Sequence, residues 1–432
     1  MKSNVICITI ALLVFCTSSI YGQGYYFRHY QVENGLSHNT VHCIVQDKEG
    51  FLWFGSKDGL NRFDGVTFKI FRPDPADSTS LGNNFVYSLH VDPKGTLWVG
   101  TREGVYRYNA KTESFRFIKS TGWSDVRDIT SDKDGNLWFI LGLRLYRYNE
   151  LKDSIPVRIN SIDIELSTVC VAPEGQIWTS GTDGRLLQYH PDTDSFEGYN
   201  VFNETVPIVS KWIGKLYATD KEQILIGTAH QGIKLFDIAS RKYIDVVTHN
   251  ADNSIVYGRD FVHYGGDEYW MATESGVYIY NIRDGSLKNL RKQFNDPYSI
   301  ADNAVYSLFK DKEGGVWAGT YFGGVNYFPH QYASFQKYFP GSTYNNISGN
   351  AVRAMCEDQY GNLWIGTEDG GLNKLEQSTG KITHYLPGGN RSTLSYTNIH
   401  GVQAIGNELW VGTFEHGVDV MDIRTGKVIR HY

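Results

Sequence analysis

Asp92-Pro93-Lys94-Gly95-Thr96-Leu97-Trp98-Val99-Gly100-Thr101 sets out an acidic turn, a glycine and a short apolar strand centred on tryptophan. The same form, slightly varied, returns at residues 47–56, 132–141, 172–181, 220–228, 311–320 and 358–367. Two more copies, Tyr269-Trp270-Met271-Ala272-Thr273 and Leu409-Trp410-Val411-Gly412-Thr413, lack the acidic turn. The central positions are Trp53, Trp98, Trp138, Trp178, Ile226, Trp270, Trp317, Trp364 and Trp410, with steps of 40 to 48 residues. A period of that length marks stacked supersecondary units, each unable to bury its apolar face alone.

Each unit reads as four strands. Around Trp364, residues 352–357 form a strand, 358–361 a tight turn and 363–366 a second strand; Gly370-Gly371 turns into 372–375, and Gly380 turns into 382–385. Glycine supplies the positive φ angles that short hairpins require. Four antiparallel strands at this period describe a propeller blade. The expected fold is therefore all-β, a β-propeller of four-stranded antiparallel blades, with the eight motif tryptophans buried between blades as core.

The strand count predicts how the ring closes. Phe27-Arg28-His29-Tyr30 echoes Ile382-Thr383-His384-Tyr385 and Ile429-Arg430-His431-Tyr432, so it reads as a surplus fourth strand. It can complete the seventh unit by pairing with residues 325–328, covering an edge that would otherwise invite aggregation. The expected organisation is a signal peptide at 1–22, a seven-bladed propeller at 23–330, and two blades of a second, truncated propeller at 331–432. A single nine-bladed ring is the rival, and it would put residues 27–30 beside 418–421.

Composition agrees with this class. Of 432 residues, 41% are apolar and 20% charged; 29 Tyr, 22 Phe and 10 Trp stand with 45 Gly and only 11 Pro. A net charge of -6 with both signs scattered gives no basic stripe, so nucleic acid is not an expected partner. Lys2, the apolar run 5–15 and the small polar stretch ending at Gly22 read as a secretory signal. The run is shorter than the roughly 20 residues a membrane helix needs, and no later segment is apolar enough to span. Cys43, Cys170 and Cys356 remain after cleavage; they fall on equivalent strands and read as buried small hydrophobes, with neither a disulfide framework nor a metal site expected. Asp132-Lys133-Asp134-Gly135-Asn136 begins like a calcium loop, but the chain re-enters a strand at Leu137, so a hairpin turn is the better reading. No hydrolase, phosphate-binding or dinucleotide motif appears, and neither a cofactor nor a catalytic residue is assigned.

The segment Asn350-Ala351-Val352-Arg353-Ala354-Met355, followed by 358–367 and Gly370-Gly371-Leu372, resembles the two-component regulator propeller repeat, as does the opening Glu33-Asn34-Gly35-Leu36-Ser37-His38-Asn39-Thr40-Val41. The resemblance implies a periplasmic sensor region of a Bacteroidetes-type hybrid two-component histidine kinase, detecting oligosaccharides. In that family two seven-bladed propellers precede a β-sandwich, a membrane helix and the kinase. Here no phosphoacceptor helix, ATP lid or helix-turn-helix is recognisable, so kinase activity is expected of a missing C-terminal region and not of this chain. The expected partners are an oligosaccharide and a second copy of the chain. A protein-interaction scaffold and a propeller lyase or hydrolase are the alternatives.

Strand one begins at the face where strand two ends, so the loop leading into each blade and the loop between strands two and three share one rim. Sugars bind aromatic faces and convergent planar polar groups in concave sites. Trp123 and Trp212 lie outside the repeat motif, just before first strands, and are the candidate sugar platforms. Lys57, Asp58, Arg102, Glu103, Asp183, His230, Gln231, Tyr321 and Phe322, on the two-to-three loops, complete the candidate site.

Overall fold

A computed structural model describes residues 25–119, 121–122, 124–151, 156–159, 164–205, 209–330, 337–341 and 346–432. The segment read as a signal and Trp123 lie outside the described residues. Among the described residues the chain forms nine four-stranded antiparallel sheets, and no helix is long and apolar enough to cross a membrane.

Eight sheets are built from consecutive strands, as in Val41–Gln46, Leu52–Ser56, Gly59–Phe63 and Phe68–Phe71. The exception explains the surplus strand. Val305–Lys310, Val316–Thr320 and Val325–Phe328 take Arg28–Tyr30 as their fourth member, with Arg28 opposite Tyr327, His29 opposite Asn326 and Tyr30 opposite Val325. Val418–Asp422 is instead flanked by Glu408–Thr413 and Lys427–His431. The first strands Val41–Gln46, Val86–Val91, Val126–Ser131, Leu166–Val171, Ile213–Ala218, Gly258–Gly265 and Val305–Lys310 neighbour one another in that order, and the seventh returns to the first. These seven sheets, blades 1 to 7, surround one axis. The chain divides into two compact units, Met1–Lys292 with Tyr298–Gln331, and Gln293–Pro297 with Tyr332–Tyr432; the sheets begun by Val352–Glu357 and Ile399–Ile405, blades 8 and 9, belong to the second.

The repeat motif is legible as packing. Trp53 is fully buried against blade 2 residues Leu81, Val86, Leu89, Leu97 and Val99, and Trp364 against Leu394, Ile399, Leu409 and Val411 of blade 9. Each such indole removes about 200 Å² from water, roughly 5 kcal/mol of transfer free energy. The glycine two residues later is a requirement of close approach. A methyl on Gly100 would stand 2.7 Å from Val126 of the next blade, and one on Gly319 would stand 2.8 Å from Val41, across the seam where the ring closes.

The acidic turn holds the tryptophan. Asp47, Asp92, Asp132, Asp311 and Asp358 each accept the indole Nε1–H six residues on, at 2.7 to 3.0 Å. The other carboxylate oxygen accepts a backbone N–H of the turn. Asp132, the residue that suggested a calcium loop, thus has both oxygens engaged by its own hairpin.

The leading loops are pinned in the same repetitive way. Backbone N–H groups of Ser37, Ala301, Ser348 and Ser395 donate to the buried third-strand residues Asn61, Asn326, Asn373 and Asp419. On the fourth strands, His29, His384 and His431 bond through Nε2 to carbonyls of Ser299, Asn346 and Arg391. The echo among the three His-Tyr segments is this bond, and His29 performs it for blade 7 from the other end of the chain.

Candidate ligand-binding site

In every blade of the ring the pairing of strands one and two slips near the second residue of strand one. Such a bulge bends the strand and re-aims a side chain out of the ladder. In this ring the residues after the first are His42, Tyr87, Arg127, Ser167, Gly214, Arg259 and Tyr306. His42, Tyr87, Arg127, Arg259 and Tyr306 line an axial cavity of about 420 Å³, with Ser88, Asp128, Lys215 and Asp260 from the next residue of their strands. Gly214 contributes no side chain and leaves room.

The upper layer is aromatic and cationic. His42 lies between Phe85 and Tyr306, with ring centres 4.9 and 5.6 Å away. Tyr306 contacts Tyr321 at 5.3 Å, and Lys57 Nζ donates to Tyr321 Oη at 3.0 Å. The Arg259 guanidinium sits 3.8 Å from the centre of Tyr257 and 4.6 Å from Tyr306, anchored by Glu274. Arg127 lies 5.3 Å from the centre of Trp212 and pairs with Asp125 at 2.8 Å. Burial, helped by the positive charges of Lys57 and Arg259, lowers the His42 pKa to about 4, so the ring is neutral near pH 7. Its Nε2 is buried with no hydrogen-bond partner among the described residues.

The lower layer is a closed charge network. Lys215 pairs with Asp128 at 2.8 Å, and Asp128 also accepts from Thr168 Oγ1 and from Val169 N–H. Asp260 accepts from Leu308 N–H at 2.9 Å; burial raises its pKa to about 6 against the opposing pull of Lys215. Burial would lower the Lys215 pKa, but Asp128 and Asp260 outweigh it and the net shift is upward. These bonds tie blades 3, 4 and 5 together and blade 6 to blade 7, and the charge of Lys215 acts on Asp260 between the two groups.

The structure brings some of the expected site residues to this cavity and sends others elsewhere. Lys57 and Tyr321 reach it through Tyr306, and Trp212 through Arg127. Phe322 stands beside Tyr321, 73% exposed. Asp58 and Asp183 pair with the nearby Arg72 and Arg185. Gln231 is buried and clamps the backbone N–H and carbonyl of Asn203. Arg102 and Glu103 are exposed, while His230 is half-buried with Nδ1 lacking a partner among the described residues. The reading of the loops missed His42, Arg127, Arg259 and Tyr306, although each lies 11 residues before its motif tryptophan.

Comparison with known proteins bears on what this ring is. The two component regulator propeller family model matches residues 35–58, 80–103, 299–322 and 346–369, each a leading loop with its first two strands. Those four segments match the two-component regulator propeller repeat. Over 80 residues, 18% of this chain, it is 44% identical to Histidine kinase P4 of Formosa agariphila, a match spanning 6% of that protein. The fold is shared with the extracellular domain of a hybrid two component system from B. thetaiotaomicron at 23% identity and a TM-score of 0.71, covering 95% of this chain. A second extracellular domain from the same organism, of a one component system, aligns at 21% identity and a TM-score of 0.61, again over 95% of this chain. This chain spans 60% and 54% of the two solved domains.

Proposed function

We propose that this chain is the ligand-sensing propeller region of a two-component sensor, acting in the periplasm, and that its ligand is an oligosaccharide bound at the mouth of the axial cavity. The repeat type and the fold shared with extracellular domains of such systems support the sensing role. The observation that carries the ligand class is the convergence of Tyr87, Tyr306, Arg127 and Arg259 on one cavity, with Tyr257, Tyr321 and Trp212 packed around them. Aromatic faces stack on the apolar faces of sugar rings, and guanidinium groups donate to vicinal hydroxyls. The cavity is concave, of the size common for small-ligand sites, and bounded below by side chains already engaged with one another.

Calorimetry of the full chain against a glycan panel tests this reading. Trp212→Ala and Tyr306→Ala are each expected to weaken a measured affinity at least tenfold, and Trp123→Ala tests the other tryptophan outside the repeat motif. Unchanged affinity in the Trp212 and Tyr306 variants would show that the site is misplaced. Hydrolysis or elimination products in the mixtures would favour an enzyme, and a specific protein partner with no glycan affinity would favour a scaffold.

A further inference from the structure

Lys57, Arg127 and Arg259 bring three positive charges to the cavity mouth, where the paired carboxylates are Asp125 and Glu274. Arg127 and Arg259 occupy equivalent bulged positions of blades 3 and 6. Tyr257 lies in the field of both, since each opposes the upward push that burial gives its phenol. Contacts with Trp212, Tyr257 and Tyr306, together with the pairing to Asp125 and Glu274, hold the two guanidinium groups in place before any ligand arrives. His42 lines the same cavity, with Nε2 buried and without a hydrogen-bond partner among the described residues. Beneath them, the two carboxylates Asp128 and Asp260 share the single cation Lys215, which leaves net negative charge deeper along the axis. An anion is therefore attracted to the upper layer and repelled from the lower, so its depth is set by the two layers together.

We infer that the recognised end of the ligand is anionic: a carboxylate or sulfate on a sugar ring seats between Arg127 and Arg259, while the ring itself lies toward Trp212 and Tyr306. This rests on the oligosaccharide-sensing reading and adds to it the charge of the ligand and the two residues that read that charge. Bidentate guanidinium donation to a planar or tetrahedral oxyanion is stronger and more directional than donation to hydroxyls.

The test is calorimetry of the full chain with matched pairs: uronic-acid oligosaccharides with their carboxyl-reduced forms, and sulfated oligosaccharides with their desulfated forms. The expected result is at least a tenfold preference for the acidic member of one pair. That preference should shrink between about 50 and 300 mM NaCl, since screening shortens to a few ångströms. Arg127→Gln and Arg259→Gln should each erase it, and Arg259→Lys should keep only part of it, holding the charge without the stacked fork. The preference and its salt dependence in the unmodified chain decide the matter even where a variant fails to fold. Equal or tighter binding of the neutral members overturns the anionic inference and leaves oligosaccharide sensing intact. Absence of binding by every acidic member also overturns it, and absence by the neutral members as well overturns both readings.

Discussion

Asp311→Ala tests the bond that organises each blade. The Asp311 carboxylate is buried and accepts Trp317 Nε1–H at 2.8 Å and Gly315 N–H at 2.7 Å, while Trp317 is 4% exposed. Alanine keeps the turn but leaves two buried donors unmatched. Each orphaned donor costs about 1 to 3 kcal/mol, and relief from burying the carboxylate returns part of this, so the expected loss is about 2 to 4 kcal/mol. Asp311→Asn keeps one acceptor but turns its NH2 toward the second donor, so it should lose about 1 to 3 kcal/mol.

Blade 4 supplies the converse, because nature has already made the alanine variant there. Ala172 stands where the turns of blades 1, 2, 3, 7 and 8 carry Asp, and Trp178 Nε1 is buried with no hydrogen-bond partner among the described residues. The turn itself is the same: Ala172 N–H donates to Gln176 O at 2.9 Å and Gly175 N–H to Ala172 O at 2.8 Å, against 2.9 and 3.0 Å for the corresponding bonds at Asp311. Ala172→Asp can thus reach the indole and the Gln176 N–H, and is expected to stabilise by about 1 to 2 kcal/mol after the cost of burying a charge. Urea titrations followed by tryptophan fluorescence and far-ultraviolet circular dichroism measure both changes, with coincidence of the two probes checking two-state behaviour. A loss under about 0.5 kcal/mol for Asp311→Ala, or destabilisation by Ala172→Asp, would refute the claim that the turn carboxylate acts through the indole.

Trp364→Ala should cost about 3 to 5 kcal/mol, since the side chain is fully buried, whereas Trp410→Ala, at a half-buried indole, should cost about half as much; equal losses in denaturant titration would contradict the burial argument. Lys57→Ala, at the half-buried rim, should cost less than about 1 kcal/mol in the same titration. Stability should also depend on pH through the axial residues. His42 and His90, both lowered to about 4 chiefly by burial, bind protons in the unfolded chain before the folded one, so each contributes stability that is lost as pH falls from about 6.5 toward 4. Asp260, raised to about 6 by burial, acts in the opposite sense: its contribution is full below its ordinary value of 3.8 and is lost as pH rises through 6. Melting temperature against pH should therefore flatten in the 4 to 6.5 window for the His42→Gln, His90→Gln double variant and steepen for Asp260→Asn; no change in either slope would contradict the assignment.

The ring was legible in the sequence because its packing demand repeats. Trp98, Gly100 and the turn acid Asp92 recur since most blades bury an indole, admit the next blade's first strand and close a hairpin. Closure was legible for a similar reason: His29 keeps its place in Phe27-Arg28-His29-Tyr30 because a fourth strand must bond the leading loop, at Ser299, from whichever end of the chain supplies it. The cavity was less legible, and the same physics explains why. Asp58, Asp183 and Gln231 sit on the two-to-three loops, as Lys57 and Tyr321 do, yet short loops satisfy their own polar groups, so position on the rim says little about what a side chain faces. The informative positions were inside the first strands. Their first residues, Val41, Val86, Val126, Leu166, Ile213, Gly258 and Val305, are all buried and, apart from Gly258, apolar, held by contact with the neighbouring blade. One residue further on the identities scatter to His42, Tyr87, Arg127, Ser167, Gly214, Arg259 and Tyr306. A repeat that fixes one position and releases the next shows where the fold stops dictating side chains, and here the released residues that line the cavity carry its aromatic and cationic groups.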